Sequence, residues 1–290
     1  MNFVLLLMLV SLVQANDDFS KEVVKSTALT SSVYMIEGAG GNITASIGKD
    51  GVLLVDDDFD GMSEKLLVKL KELNGDRPRM VINTHFHYDH TGSNRNFTSA
   101  TIIAAQEVRD RLSAEQVLWK KKHPAVLDGL PNLTFQDRIK IFVNGDEVQA
   151  IHLKSGHTDG DTVVVFSNSK VASLGDLYFS GMYPIFHPEH QGSLRRYLEN
   201  IEKALKLIPD DAFVVPGHGP LSNRKELANY TEMIRDSVKT VKDGMKSGLS
   251  LEGIVKRGLD PKWLGYSHGY RTTEQWLTSV FESCHKGDCP

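Results

Sequence analysis

Cysteine is scarce in this sequence, with only two such residues among 290. Cys284 and Cys289 lie close together at the C-terminal end, far in sequence from the histidine motifs described below. Their spacing allows a terminal disulfide bond in an oxidising compartment. We assign them no part in the chemistry of the chain.

A surplus of positive charge is also missing. The chain has 33 Lys and Arg residues against 37 Asp and Glu residues, which gives a formal net charge of -4. Proteins that bind nucleic acid usually meet its phosphates with clustered Lys and Arg side chains. We therefore predict no nucleic-acid partner.

No apolar run is long enough to span a bilayer. Residues 3–13 form an apolar run broken only by Ser11, which fits the hydrophobic region of a secretory signal, and 13–15 (VQA) supplies a cleavage site. Residues 1–2 contain no Lys or Arg, so only the amino terminus is positively charged there. We predict a signal peptide over residues 1–15, export to the periplasm or the medium, and no stable membrane insertion afterwards. The alternatives are an uncleaved anchor and a buried N-terminal strand or helix.

Strand-like and helix-like segments fill the remaining chain, with no internal repeat or low-complexity linker. Short β-rich runs occur at 32–37, 43–47, 52–55, 79–83 and 101–105, and again at 139–143, 148–153, 162–166, 171–174 and 213–215. Helical patterns begin near residues 63, 106, 193 and 225. Because helices flank two strand-rich halves, residues 16–290 are predicted to form one α/β domain with two sheets face to face and a helical C-terminal part.

Residues 85–90 (HFHYDH) place three imidazoles and a carboxylate directly after the apolar strand 79–83. On an extended strand end, His85 and His87 point the same way, so both could hold one ion. Asp89 and His90 lie past the strand end, where a turn could direct them toward a neighbouring position. This pattern predicts a metal site with room for two ions.

Three later motifs each set a polar residue in a glycine-bearing loop beside a β run. They are residues 156–157 (GH), 175–176 (GD) and 217–219 (GHG). A single histidine is most often an ordinary surface or core residue. Together with residues 85–90, however, His157, Asp176 and His218 indicate a complete metal centre.

These five motifs, in this order and at strand ends, resemble those of the metallo-β-lactamase superfamily. The resemblance covers nearly the whole chain after the leader. It implies an αββα four-layer sandwich of two mixed β-sheets flanked by helices, with two zinc ions in a cleft along one edge. Carried over by motif, the first zinc ligands are His85, His87 and His157, and the second are Asp89, His90 and His218. Asp176 would bridge both ions, and Asp89 would also orient the attacking hydroxide.

Two differences from class B β-lactamases of this superfamily indicate the substrate class. Class B β-lactamases usually have Cys or Ser in place of Asp176, and many have a lysine a few residues later, whereas residues 177–180 (LYFS) carry no cation. The aspartate is similar to that of glyoxalase II-like thioesterases and lactonases. We therefore predict hydrolysis of a small ester, thioester, lactone or amide by metal-bound hydroxide. A β-lactam is included but is not favoured.

Several side chains around the ligands have two possible roles each. Asp159 and Asp161 could accept a hydrogen bond from a ligand imidazole or could cap their own loop. The acidic residues 56–58 could likewise accept a hydrogen bond from a ligand imidazole, or could form a solvated acidic turn at the start of a helix. Residues 183–190, including Tyr183 and His187, either wall the substrate cleft or form a surface connection.

Two other functions are compatible with the sequence. One is a persulfide-dioxygenase-like enzyme that holds a single iron through two histidines and an aspartate. The other is a metal-stabilised binding protein without turnover, which would need a closed coordination shell.

Overall fold

The computed structural model of the chain describes residues 18–118 and 121–290. The signal peptide predicted for residues 1–15 lies outside these ranges and stays a prediction. Over the described ranges, no helix combines the length and the apolar character needed to cross a membrane.

Fifteen strands and seven α-helices make up the described chain. The strands are β1 (Lys25–Ala28), β2 (Val33–Glu37), β3 (Ile43–Gly48), β4 (Gly51–Val55), β5 (Pro78–Ile82), β6 (Thr101–Ala105), β7 (Gln116–Leu118), β8 (Lys121–His123), β9 (Leu133–Phe135), β10 (Arg138–Val143), β11 (Asp146–His152), β12 (Thr162–Phe166), β13 (Val171–Ser173), β14 (Phe213–Val215) and β15 (Ser222–Asn223). The α-helices are α1 (Ser63–Glu72), α2 (Tyr88–Thr91), α3 (Gln106–Leu112), α4 (Leu194–Leu207), α5 (Arg224–Lys246), α6 (Leu251–Arg257) and α7 (Thr273–His285). Short 3-10 helices occupy Phe19–Lys21, Asp60–Met62, Gly92–Asn96, Leu127–Gly129, Gly175–Leu177, Pro188–His190 and Pro261–His268.

The strands form two large mixed sheets and one small hairpin. Sheet I has the order β1-β2-β3-β4-β5-β6-β9, and sheet II has the order β10-β11-β12-β13-β14-β15. In sheet I the pairs β4–β5, β5–β6 and β6–β9 are parallel, and in sheet II only β13–β14 is parallel. The predicted αββα class with two mixed sheets and flanking helices is confirmed.

The central strands carry apolar side chains on both faces, and this creates the layers. Leu53 and Val55 of β4 belong to the core between the sheets, where they join Val164 and Phe166 of β12. Val52 and Leu54 of β4 face the opposite side of the sheet, where they pack with α1. Because successive side chains of a strand point to opposite faces, β4 and β12 each contribute to an inner and an outer layer.

Helices α4, α5 and α7 cover the outer face of sheet II in one continuous apolar cluster. Trp276 of α7 is fully buried there, and its indole Nε1 donates to Ser237 Oγ at 2.8 Å. Cys284 and Cys289 form a disulfide bond at the end of α7. Between them in sequence, Asp288 accepts a hydrogen bond from the backbone N–H of Leu194 at the start of α4. The C-terminal helices are thus bound to sheet II.

The predicted strands and helices are confirmed with small shifts at their ends, but five short strands were not predicted. One is β1, an edge strand whose polar, largely exposed residues lack the apolar alternation that identifies a strand. The other four, β7, β8, β9 and β15, have only two or three residues each. Such lengths are too short for a periodic signal to develop.

Candidate metal centre

The histidine motif lies where β5 ends and the chain turns. His87 is the last extended residue before α2, with φ of -64° and ψ of 148°. Asp89 and His90 lie on helix α2, where they reach a second position beside that of His85 and His87. The strand end and the turn together divide one short motif between two groups of potential ligands.

The first group consists of His85, His87, His157 and Asp176, all buried. His87 Nδ1 lies 3.0 Å from His85 Nε2 and 2.9 Å from His157 Nε2. Asp176 Oδ2 lies 3.2 Å from His157 Nε2. Ligand atoms about 2.0–2.1 Å from a tetrahedral zinc are about 3.3 Å apart, so these separations suit a single metal ion.

The second group consists of Asp89, His90 and His218. The Nε2 atoms of His90 and His218 are 3.3 Å apart. Asp89 Oδ2 lies 3.2 Å from His218 Nε2 and 3.6 Å from His90 Nε2. Two imidazoles and a carboxylate therefore converge at a spacing that also suits a metal ion.

Asp176 lies between the two groups and turns one oxygen toward each. Its Oδ2 faces the first group, while its Oδ1 is 3.2 Å from His90 Nε2 and 3.4 Å from His218 Nε2. Oδ1 is also buried without a hydrogen-bond partner. A buried carboxylate oxygen needs a compensating partner, and a cation between the ligands of each group would supply one. The residues present therefore fit a pair of bound metal ions.

The electrostatics of the first group favour metal binding. Burial lowers the pKa of His157 to about 3 and holds the pKa values of His85 and His87 well below their ordinary value. These imidazoles are therefore neutral near pH 7, and metal binding requires the neutral form. Burial opposes ionisation of Asp176, but the nearby histidines, led by His218 and His90, hold its pKa well below the ordinary value.

The ring of His157 is oriented by a backbone carbonyl. Its Nδ1 lies 2.8 Å from the carbonyl oxygen of Ile185, which can only accept, so Nδ1–H donates and Nε2 is left for the site. The sequence suggested that Asp159 or Asp161 would accept this hydrogen bond, but neither carboxylate does so. The carbonyl reaches the ring because the backbone N–H of His187 donates to the His157 carbonyl and brings that segment alongside.

Both aspartates support the loop in other ways. Asp161 accepts hydrogen bonds from the backbone N–H groups of His157 and Thr158, at 2.6 and 2.9 Å, and from the Thr158 hydroxyl. Asp161 therefore caps its own loop, which is the second role that the sequence suggested for it. Burial raises the pKa of Asp161 to about 8. Asp159 forms an ion pair with Arg111 at 2.7 Å.

Asp56 is linked by hydrogen bonds to one ligand of each group, directly to His90 and through Thr84 to His85. Its Oδ2 accepts from His90 Nδ1 at 2.8 Å and from the Thr84 hydroxyl at 2.7 Å. The Thr84 hydroxyl, having donated its proton, lies 3.1 Å from His85 Nδ1 and can accept from it. One fully buried carboxylate thus fixes the orientation of His85 and His90, which is the first of the two readings given for residues 56–58.

The loop that carries His218 is held against Asp176 and sheet I. A Cβ atom on Gly217 would overlap Asp176 Oδ1, so the close approach requires glycine at this position. Asn42 donates through Nδ2 to the carbonyls of Pro216 and Gly219 at 3.0 and 2.9 Å. These contacts place His218 in the second group.

A cleft of about 320 Å³ opens over both groups. It is lined by Ala39, Gly40, Phe59, His87, Asp89, His157, Asp176, Phe179, Ile185, His187, His218 and Tyr270. The predicted cleft residue His187 lies on this wall, but Tyr183 does not. Tyr183 is buried, stacks on Trp276 and donates its hydroxyl to the Trp263 carbonyl, because a buried phenol needs a hydrogen-bond acceptor.

Two contributors to the site were not identified from the sequence. Tyr270 places its hydroxyl 3.2 Å from His218 Nδ1, although it lies 52 residues away along the chain. Thr84 connects Asp56 to His85. Only the position of Thr84 directly before His85 could have suggested its part; no local signal marks Tyr270.

The fold and the site together define an αββα protein with a His/Asp metal centre at one edge of its sheets. The family model of the metallo-β-lactamase superfamily matches residues 27–218, which include every residue of the two groups. The chain belongs to this superfamily of metallo-hydrolases.

Individual relatives are distant. Over 176 residues the chain is 25% identical to the 2,4-dinitroanisole O-demethylase subunit alpha of Nocardioides sp. (strain JS1661), and the match covers 60% of this chain and 51% of that protein. Over 170 residues it is 25% identical to the hydroxyacylglutathione hydrolase GloC of Haemophilus influenzae, covering 55% of this chain and 76% of that protein. The chain thus spans only about half of the first relative.

A solved structure agrees with the fold. The metallo-β-lactamase from Pontibacter korlensis superposes with a TM-score of 0.62 at 18% identity, and the match covers 73% of this chain and 99% of that one. At this identity the likeness supports the fold alone.

The support that Asp56 gives to the ligands generates a testable prediction. Asp56 Oδ2 accepts from His90 Nδ1 and the Thr84 hydroxyl, and Oδ1 accepts from the Thr84 backbone N–H. In either orientation, the amide of Asp56→Asn must therefore turn its NH₂ group toward a donor. We expect metal affinity to fall about 10–100-fold, as is typical when a partner of a ligand is lost. Competition with a chromophoric chelator measures this change.

The exposed variant Asp137→Asn is the control and should bind metal like the unmodified protein. Unchanged affinity in a folded Asp56→Asn protein would show that this carboxylate does not orient the ligands.

Proposed function

We propose that this chain is an exported dinuclear zinc hydrolase that cleaves a small ester, thioester, lactone or amide. The observation that carries the proposal is the position of Asp176, whose Oδ1 and Oδ2 turn toward two different groups of imidazoles. A carboxylate in this position is suited to bridge two ions.

The donor set supports zinc and supports two ions. Neutral imidazole nitrogens with carboxylate oxygens are common zinc ligands. A mononuclear iron site would need only two histidines and an aspartate. It would leave no role for the second group of Asp89, His90 and His218, which converge at 3.2–3.6 Å. The second group therefore argues against the iron alternative.

The open cleft favours turnover over a purely structural metal. Zinc, when bound, lowers the pKa of a water molecule to about 7 and polarises a carbonyl oxygen. Asp89 borders the cleft with a side chain that is 13% exposed. Burial opposes its ionisation, but His90 and His218 hold its pKa below the ordinary value. Asp89 is therefore a carboxylate near neutral pH, and an oxygen of it that does not hold a metal could accept a proton and pass it on.

The cleft walls limit the substrate. Phe59, Phe179 and Ile185 provide apolar surface, and among the described residues that line the cleft none is Lys or Arg. A small, uncharged acyl group suits these walls better than a drug carboxylate, so a β-lactam is not favoured. The similarity to a hydroxyacylglutathione hydrolase supports an acyl substrate such as an ester or thioester.

Export and domain organisation complete the proposal. The apolar run at residues 3–13 supports a leader over residues 1–15, with 16–290 as one metallo-β-lactamase-like domain. The disulfide between Cys284 and Cys289 suits an oxidising compartment such as the periplasm or the medium.

A chelator experiment tests the enzymatic proposal. Protein without the leader is assayed against panels of thioester, lactone, ester and β-lactam substrates, before and after treatment with a strong chelator. We expect hydrolysis of at least one acyl class, its loss on chelation and its recovery with zinc. Activity that persists in metal-free protein, or returns only with iron and oxygen uptake, would contradict the proposal.

The bridging position of Asp176 leads to a second prediction. Asp176→Ala should lower the zinc content after desalting from two ions per chain toward one, because both groups lose a shared carboxylate. Elemental analysis of purified protein measures the content, and circular dichroism checks that the variant is folded. The exposed Asp137→Ala control should keep two ions. Two ions retained by a folded Asp176→Ala protein would exclude a bridging role.

A further inference from the structure

A third cluster of metal-binding side chains lies outside the two groups. His187, Glu189 and His190 each offer one ligand atom, and these atoms lie within 4.8 Å of one another. His187 Nδ1 is 3.1 Å from Glu189 Oε1. The cluster occupies the 3-10 helix Pro188–His190 and the residue before it, at the rim of the cleft.

His190 carries an atom whose surroundings call for a ligand. The side chain is buried, with only 4% of the residue exposed, and its Nδ1 has no hydrogen-bond partner. Buried polar atoms in folded proteins are nearly always paired with protein or solvent groups, so an orphaned ring nitrogen needs an explanation. A bound cation would provide the missing partner.

The backbone holds this cluster in place. The His187 N–H donates to the His157 carbonyl at 3.0 Å, and the N–H groups of His190 and Gly192 both donate to the His187 carbonyl at 2.8 Å. A Cβ on Gly192 would overlap the His157 carbonyl, so the segment packs directly on the chain that carries His157. The backbone that carries the three side chains is therefore held in place before an ion binds, which reduces the entropy cost of binding.

A cation could reach the cluster from solvent. Glu189 and His190 line a cavity of about 840 Å³ that meets the cleft at His187. Arg111, also on this cavity, is paired with Asp159 at 2.7 Å, so its charge is compensated. Arg271 on the same wall lies over the Phe186 ring and retains its positive charge beside the cluster. This charge should make the cluster a weaker cation site than the two central groups.

We propose that His187, Glu189 and His190 bind a third divalent cation of the zinc type at the mouth of the cleft. Two imidazoles and a carboxylate form a ligand set that zinc uses in proteins, whereas magnesium and calcium prefer oxygen ligands alone. The ring of His187 lies edge-on to those of His87 and His157, with centroids 5.0 and 5.1 Å away. Cation binding would therefore fix the side chain that forms one wall of the cleft.

Equilibrium dialysis of the full chain against zinc chloride tests this proposal. Glu189→Gln removes the charged ligand at an exposed position, and Glu282→Gln removes an exposed carboxylate from the same cavity without touching the cluster. At zinc concentrations that fill the third site, the unmodified chain and Glu282→Gln should each bind one more ion than Glu189→Gln. In Glu189→Gln we expect the dissociation constant of the third ion to rise about 100-fold or more. Losing a metal ligand should weaken binding by more than the 10–100-fold that follows the loss of a residue hydrogen-bonded to a ligand.

The comparison does not depend on how many ions the central groups hold, because it measures a difference between matched variants. Equal zinc binding by the unmodified chain and Glu189→Gln across the titration would overturn the proposal. His190→Gln should remove the same ion, and the exposed Glu189 variant decides the outcome if that buried substitution prevents folding. Dialysis against magnesium chloride should reveal no additional ion in any of these proteins.

Discussion

The structure is organised around one buried carboxylate. Asp176 is surrounded by the Nε2 atoms of four histidines at 3.2–3.8 Å, in a site where three ligand imidazoles are neutral. The neutral nitrogens of His85 and His157 turn lone pairs toward this carboxylate and are repelled by it, and all of these buried groups have lost their contact with water. Against the effect of burial, Asp176 raises the pKa values of His90 and His218, which attract it in the absence of a metal. Cations between them remove both costs, which is why metal binding and the fold of this edge are coupled.

The two-sheet architecture makes this convergence achievable. Strand β5 of sheet I delivers the histidine motif, while β12 and β13 of sheet II flank the loops that carry His157 and Asp176. Gly175 adopts a φ of +49° and packs against the Thr84 side chain, so a residue with a Cβ would separate the two sheets at this point. Because the loops lie on rigid strands, their side chains can be aimed at one position without a large cost in chain entropy.

Most of the fold and the groups of potential ligands could be predicted from the sequence, because both leave local patterns. Short β-rich apolar runs revealed strands β4 and β12, and glycine-bearing loops beside strands revealed His157 and His218. The supporting contacts were harder to predict. The Ile185 carbonyl has no side-chain signature, and Tyr270 reaches His218 only through tertiary packing. Tyr183 misled the prediction because an aromatic residue near a ligand can face either the cleft or the core.

The central claim is that two metal ions share Asp176. Anomalous diffraction at the zinc absorption edge, from crystals of the zinc-loaded chain, tests it most directly. The account predicts two peaks on opposite sides of the Asp176 carboxylate, about 3.5–4 Å apart, one beside His85, His87 and His157 and the other beside His90 and His218. A single peak at full zinc loading, with the second group left without an ion, would contradict the account.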